Sequence, residues 1–101
     1  MRSSDLTFAA LSLQELIRRR GSYDHVGVKP RAGHLIIEVA DPDGESWVVA
    51  RATPLGGTEY GLSFRTSSGR WEPMPVSGSL EENAEGVVGL LGPYLDPANL
   101  R

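Results

Sequence analysis

Apolar residues recur at helical spacing near both ends of the chain and alternate with polar ones between them. Over residues 5 to 20, Leu6, Ala10, Leu13 and Ile17 form one stripe, widened by Ala9 and Leu16, which predicts an amphipathic helix. Ser3 or Ser4 supplies a cap, while Ser12-x-x-Glu15 is a second capping box that would start the helix at residue 12. Both starts lead to Gly21 as the terminating residue. The clearest helix start is Ser79-x-x-Glu82, followed by Leu80, Ala84, Val87, Val88 and Leu91 on one face. Gly86, Gly89 and Gly92 repeat along it. A glycine inside a helix costs about 1 kcal/mol relative to alanine. Gly86 and Gly89 therefore need a reason, and close approach to a sheet or a second helix supplies one. Gly92-Pro93 stops this helix and leaves "DPANLR" as a short tail.

Between the helices the period falls to two. "HLIIEVA" and "SWVVARA" flank Asp41-Pro42-Asp43-Gly44, where proline presets the second turn position and glycine takes the left-handed one. With Asp41 opposite Glu45, Val39 faces Trp47, Ile37 faces Val49 and Leu35 faces Arg51. Leu35, Ile37, Val39, Trp47 and Val49 then make the core face, and His34, Ile36, Glu38, Val48 and Ala50 the other. "TEYGLSF" and "RWEPMPV" flank Thr66-Ser67-Ser68-Gly69 in the same way. Tyr60, Leu62 and Phe64 share a face with Met74 and Val76, and Gly61, Ser63 and Arg65 share the other with Trp71, Pro73 and Pro75. Proline is confined to sheet edges, so residues 71 to 76 form an edge strand. "TPLGG" joins the hairpins. "YDHVGV" (residues 23 to 28) is a candidate fifth strand turning through "KPRAG", with Val28 opposite His34 and Val26 opposite Ile36.

The order predicts a single α+β domain over residues 1–101. It has two layers: an N-terminal helix, an antiparallel meander of four or five strands, and a C-terminal helix. Its layout is similar to that of several small acidic bacterial accessory proteins, including secretion chaperones and immunity proteins, with no shared motif.

Composition narrows the function classes. A hydrophobic fraction of 40% with 23% charged residues is that of a folded chain rather than a disordered one. The chain has no cysteine, which removes disulfides, thiol nucleophiles and cysteine zinc sites. The first 20 residues carry Asp5 before their apolar run and Gln14, Glu15 and three arginines after it, unlike a secretory leader. No stretch reaches the roughly 20 apolar residues that span a bilayer. The expectation is a cytoplasmic protein with no membrane partner. A net charge of −3 repels nucleic acid, and Arg18-Arg19-Arg20 reads as complementing the negative end of the first helix.

Both histidines, His25 and His34, lie within "SYDHVGVKPRAGH", beside Asp24 and ahead of Glu38. The simplest register sends His25 to the core face and His34 to the other. His34 and Glu38 share a face but stand about 13 Å apart along a strand. Zinc needs three or four convergent ligands, so no metal or cofactor is expected. No nucleophile elbow, calcium loop or phosphate loop is present, and no catalytic residue is assigned. The reading leans against an enzyme.

The informative residues are apolar ones on the non-core face. Ile36, Val48, Ala50 and Ala52 form a patch there, to which Trp71 and the opposing Arg65 add an aromatic–guanidinium pair. Either the N-terminal helix covers this face, or both helices pack on the far side and the patch meets a second copy or a protein partner, or it is a small-molecule pocket. The expected function is a non-catalytic interaction module, self-associating as a homodimer or binding another protein. It would use His34, Ile36, Glu38, Val48, Ala50, Arg65 and Trp71, or the edge strand at 71 to 76. The alternative is a small enzyme or ligand-binding protein with its pocket between sheet and helices.

Overall fold

The computed structural model describes residues 3–97. Helix α1 (Ser3–Arg18) is followed by β1 (Val26–Arg31), β2 (His34–Ala40), β3 (Ser46–Gly56), β4 (Glu59–Arg65) and β5 (Trp71–Gly78), then α2 (Leu80–Leu91) and a 3₁₀ turn at Gly92–Leu95. The strands form one antiparallel sheet in sequence order. The expected α+β fold is therefore the observed one, with residues 26 to 31 as a full fifth strand. Helix α1 begins well before residue 12, and its expected caps, Ser3 and Ser4, have side chains outside those described.

Both helices pack on one face of the sheet, α1 over β1 and β2, α2 over β4 and β5, and they touch each other. Leu13 and Ile17 of α1, Val87 of α2 and Leu35, Ile37, Val39 and Leu62 of the strands are fully buried between the layers. Each such side chain contributes about 1.5–3 kcal/mol by leaving water. The N-terminal helix does not cross to the opposite face, so that face has no second layer among the described residues.

The α2 start is the capping box read from the sequence: Ser79 Oγ accepts from Glu82 N–H, and the Glu82 carboxylate accepts from Ser79 N–H. Gly86 has the expected close approach, since a Cβ there would meet both Val76 methyls at 2.9 Å. Gly89 does not, having nothing within 4 Å of that position. Past Gly92 the chain turns once more and buries Leu95 completely.

Three registers depart from simple pairing. In the β1–β2 hairpin the strands run on through Lys29, Pro30 and Arg31, and the turn is only Ala32-Gly33, with φ of 51° and 83°. Two central residues of positive φ are what a tight two-residue hairpin requires. Val28 thus opposes Ile37, and Val26 opposes Val39, instead of His34 and Ile36. In β2–β3, Asp41 N–H donates to Glu45 O and Val39 faces Trp47 as expected, but a bulge then shifts the ladder. Ile37 pairs with Ala50, and Leu35 with Ala52. In β4–β5, Arg65 faces Trp71 and Ser63 faces Pro73, after which Met74, Pro75 and Val76 stand opposite Leu62 alone.

The bulge corrects one surface assignment. Ala50 and Ala52 are fully buried beneath the helices and do not belong to the open face. Strict alternation would have put Arg51 there, where an unpaired guanidinium costs several kcal/mol. One extra residue in β3 turns Arg51 to the other side and gives the crowded positions to alanines.

Both sheet edges are closed. Along β1 the outward Val26 N–H donates to Tyr23 O, Val28 N–H donates to the Gln14 side chain of α1, and Pro30 has no N–H. Arg18 Nε donates to Val26 O at 2.9 Å. Along β5, Pro73 and Pro75 remove donors from alternate positions.

Candidate functional site

The uncovered face of the sheet carries an open groove of about 570 Å³. Arg31 comes from the end of β1, His34 and Ile36 from β2, Trp47, Val48 and Arg51 from β3, Arg65 from β4 and Trp71 from β5. Strand alternation sends these residues to one side, except Trp47, which pairs with the core residue Val39 and reaches the groove only at the end of the sheet; the β3 bulge adds Arg51.

Trp71 is the centre. The Arg51 guanidinium carbon lies 4.4 Å from its ring centroid and that of Arg65 lies 5.2 Å away, both within cation–π range. Among the described residues neither arginine has a carboxylate within salt-bridge distance, and nor does Arg31. The Arg51 Nε atom is buried without a hydrogen-bond partner. Two like charges thus share one indole, with no carboxylate among the described residues within salt-bridge distance of either.

His34 sits beside them with Nδ1 2.8 Å from Thr53 Oγ1. Burial, and then the neighbouring Arg51 charge, holds its pKa below the ordinary imidazole value. Glu38 is taken up by Lys29 at 3.1 Å. Ile36 is only 7% exposed although no helix lies over it. Its cross-strand neighbours are Lys29 and Arg51, whose aliphatic stems are long enough to shield it.

Of the expected surface residues, His34, Ile36, Glu38, Val48, Arg65 and Trp71 lie on this face, and Ala50 does not. Sequence reasoning missed Arg51, Arg31 and Trp47. The signal for Arg51 was present: an arginine in phase with a core face marks a bulge. The histidines are far apart, for a reason different from the expected one. His25 bonds through Nε2 to Leu95 O at one end of the β1–β2 hairpin. His34 lies at the other end, opposite Arg31. Of the arginine run, Arg18 closes the β1 edge and Arg20 pairs with Glu85 at 3.5 Å.

A second depression, about 530 Å³, opens where the sheet ends beneath α2 and the 3₁₀ turn. Trp47, Val49, Phe64, Leu91 and Tyr94 form its walls, and Arg65 stands at its margin. Among the described residues its lining contains no carboxylate or imidazole. Among the described residues no three His, Asp or Glu side chains gather closely enough for a metal ion. No described helix is long and apolar enough to cross a membrane.

Fold and site together define a class: a two-layer α+β meander domain with a cationic, aromatic groove on its uncovered face. Compared with protein-family models, with curated proteins and with solved structures, the chain has no match.

Proposed function

We propose that this protein is a non-catalytic interaction module that binds an acidic segment of a partner protein across the open face of its sheet. The observation that carries this reading is the pair of arginines on Trp71 without a carboxylate partner among the described residues. Carboxylates of a bound segment would supply the missing acceptors, each charge-assisted bond contributing about 1.5–3 kcal/mol. Tryptophan and arginine are also the residue types that dominate binding energy at interface centres. The closed edges favour docking on the face over strand addition at β1 or β5.

Charge also bears on the expected homodimer. A two-fold contact sets each patch against itself, which would face arginines with arginines. A polynucleotide carries a charge on every nucleotide, and a chain of net charge −3 disfavours so long and uniform an anion more than a short segment with a few carboxylates.

The test is calorimetric titration with a blocked peptide of alternating glutamate and glycine at low and moderate salt. Binding should weaken as salt screens it and fall about tenfold or more in Arg51→Gln. Equal affinity for wild type, Arg51→Gln and Arg65→Gln would overturn the reading. Tighter binding of a single-stranded oligonucleotide at the same salt would replace it with a nucleic-acid role. Sedimentation showing a dimer that Trp71→Ser dissociates would replace it with self-association.

A further inference from the structure

The groove and the apolar depression are one continuous surface. Trp47, Val48 and Arg65 line both, so the aromatic–guanidinium centre passes around the end of β3 and β4 into the cleft beneath α2. Resting on the acidic-segment reading above, we infer that the bound segment carries a large apolar side chain, aromatic or long aliphatic, which seats in the cleft while its acidic neighbours engage Arg65 and Arg51.

The cleft's walls are Trp47, Val49, Phe64, Leu91 and Tyr94. Val49 and Leu91 are buried core residues, so the floor is fixed by the fold. Tyr94 is 56% exposed and stands at the mouth. An apolar concavity whose one charged neighbour is a guanidinium matches an apolar anchor flanked by carboxylate and does not match a basic segment. A tyrosine left mostly in water beside such a cleft gains burial only when something occupies it.

Continuity also fixes an order along the ligand. Arg65 faces Trp71 across β4–β5 and reaches the margin of the cleft, whereas Arg51 lies on β3 within the groove alone. The acidic residue nearest the anchor therefore meets Arg65, and the next meets Arg51.

The experiment uses two blocked peptides of equal charge, glutamate–glycine repeats with phenylalanine or serine at the centre, titrated into the full chain. The phenylalanine peptide should bind about tenfold tighter or more. That advantage should vanish in Tyr94→Ala, with the serine peptide's affinity unchanged. Tyr94 is exposed, so this variant keeps its fold, which a matching thermal transition verifies. Equal affinity of the two peptides, with binding still lost in Arg51→Gln, overturns the anchor and leaves the groove reading standing. An advantage that survives Tyr94→Ala overturns the assignment to this cleft. Binding of neither peptide removes the groove reading and the anchor with it.

Discussion

Gly86 and Gly89 lie three residues apart on α2, and the same substitution should stabilise the fold at Gly89 but not at Gly86. At Gly89 a new Cβ meets nothing within 4 Å. Gly89→Ala then returns only the backbone term, about 1 kcal/mol of added stability. For a domain of this size that is an increase of roughly 4–8 °C in Tm. At Gly86 the Cβ would lie 2.9 Å from both Val76 methyls and 3.2 Å from Leu62 Cδ2. Valine has one side-chain torsion, and turning it cannot withdraw both methyls at once. Leu62 is 1% exposed and has no room to yield. Relief must come from shifting α2 or β5, at the 1–3 kcal/mol typical of overpacking. Set against the same 1 kcal/mol gain, Gly86→Ala is neutral to about 2 kcal/mol destabilising. Urea unfolding of both variants, with the slope of the transition checked for constancy, reads the difference directly. A Gly86→Ala variant as stable as Gly89→Ala would refute the packing argument, because it would show that α2 does not press on β5.

Three further outcomes follow from particular contacts. Asn83 is fully buried, and its Nδ2 donates to Ser79 O at 2.9 Å and Tyr60 O at 3.0 Å. Asn83→Leu should cost about 2 kcal/mol in urea unfolding, and Asn83→Asp more, since it sets a carboxylate against carbonyls. His34 has its pKa lowered in the fold, so the unfolded chain binds its proton first as pH falls. Stability should therefore decline from about pH 6.5 downward until the folded-state pKa is passed. A His34→Asn variant should lose the part of that slope that begins below about pH 6.5. Ala32 holds a φ of 51°, a conformation that costs a side chain with a Cβ roughly 1 kcal/mol. Ala32→Gly should recover part of this and raise the midpoint of thermal unfolding, and a lowered midpoint would contradict the turn geometry.

What could be read in the sequence was what local chemistry decides. The Ser79–Glu82 capping box and the Gly44 and Gly69 turns act within a few residues, and all are as expected. The positions opposite the turns, such as Val39–Trp47 and Arg65–Trp71, also hold because a turn fixes the register next to it. Errors enter where long-range packing overrides alternation. Nothing local to "SWVVARA" says that two helices press on one face, and that pressure places Ala50 inside and Arg51 outside. The expected turn through "KPRAG" is shorter than that, since Lys29, Pro30 and Arg31 still pair with β2, and at a sheet edge Pro30 lies within the strand because no N–H is needed there. Of the site, Trp71 and Arg65 were legible as a cross-strand pair. Arg51, Arg31 and the cleft under α2 needed the tertiary arrangement.

The bulge in β3 links these two outcomes, and its removal separates parity from twist. Deleting Val49 leaves Trp47 opposite Val39, Val48 opposite Glu38 and Ala50 opposite Ile37, a regular ladder with no extra residue. Arg51 stays opposite Ile36 on the open face. The deletion forfeits Val49, which is 7% exposed, so stability should fall by about 2 kcal/mol. If face alone positions the guanidinium, the glutamate–glycine peptide should bind the deletion variant nearly as well as wild type. A folded deletion variant that has lost peptide affinity would refute that. It would mean that the local twist a bulge imposes, and not the side to which Arg51 points, brings its guanidinium over Trp71.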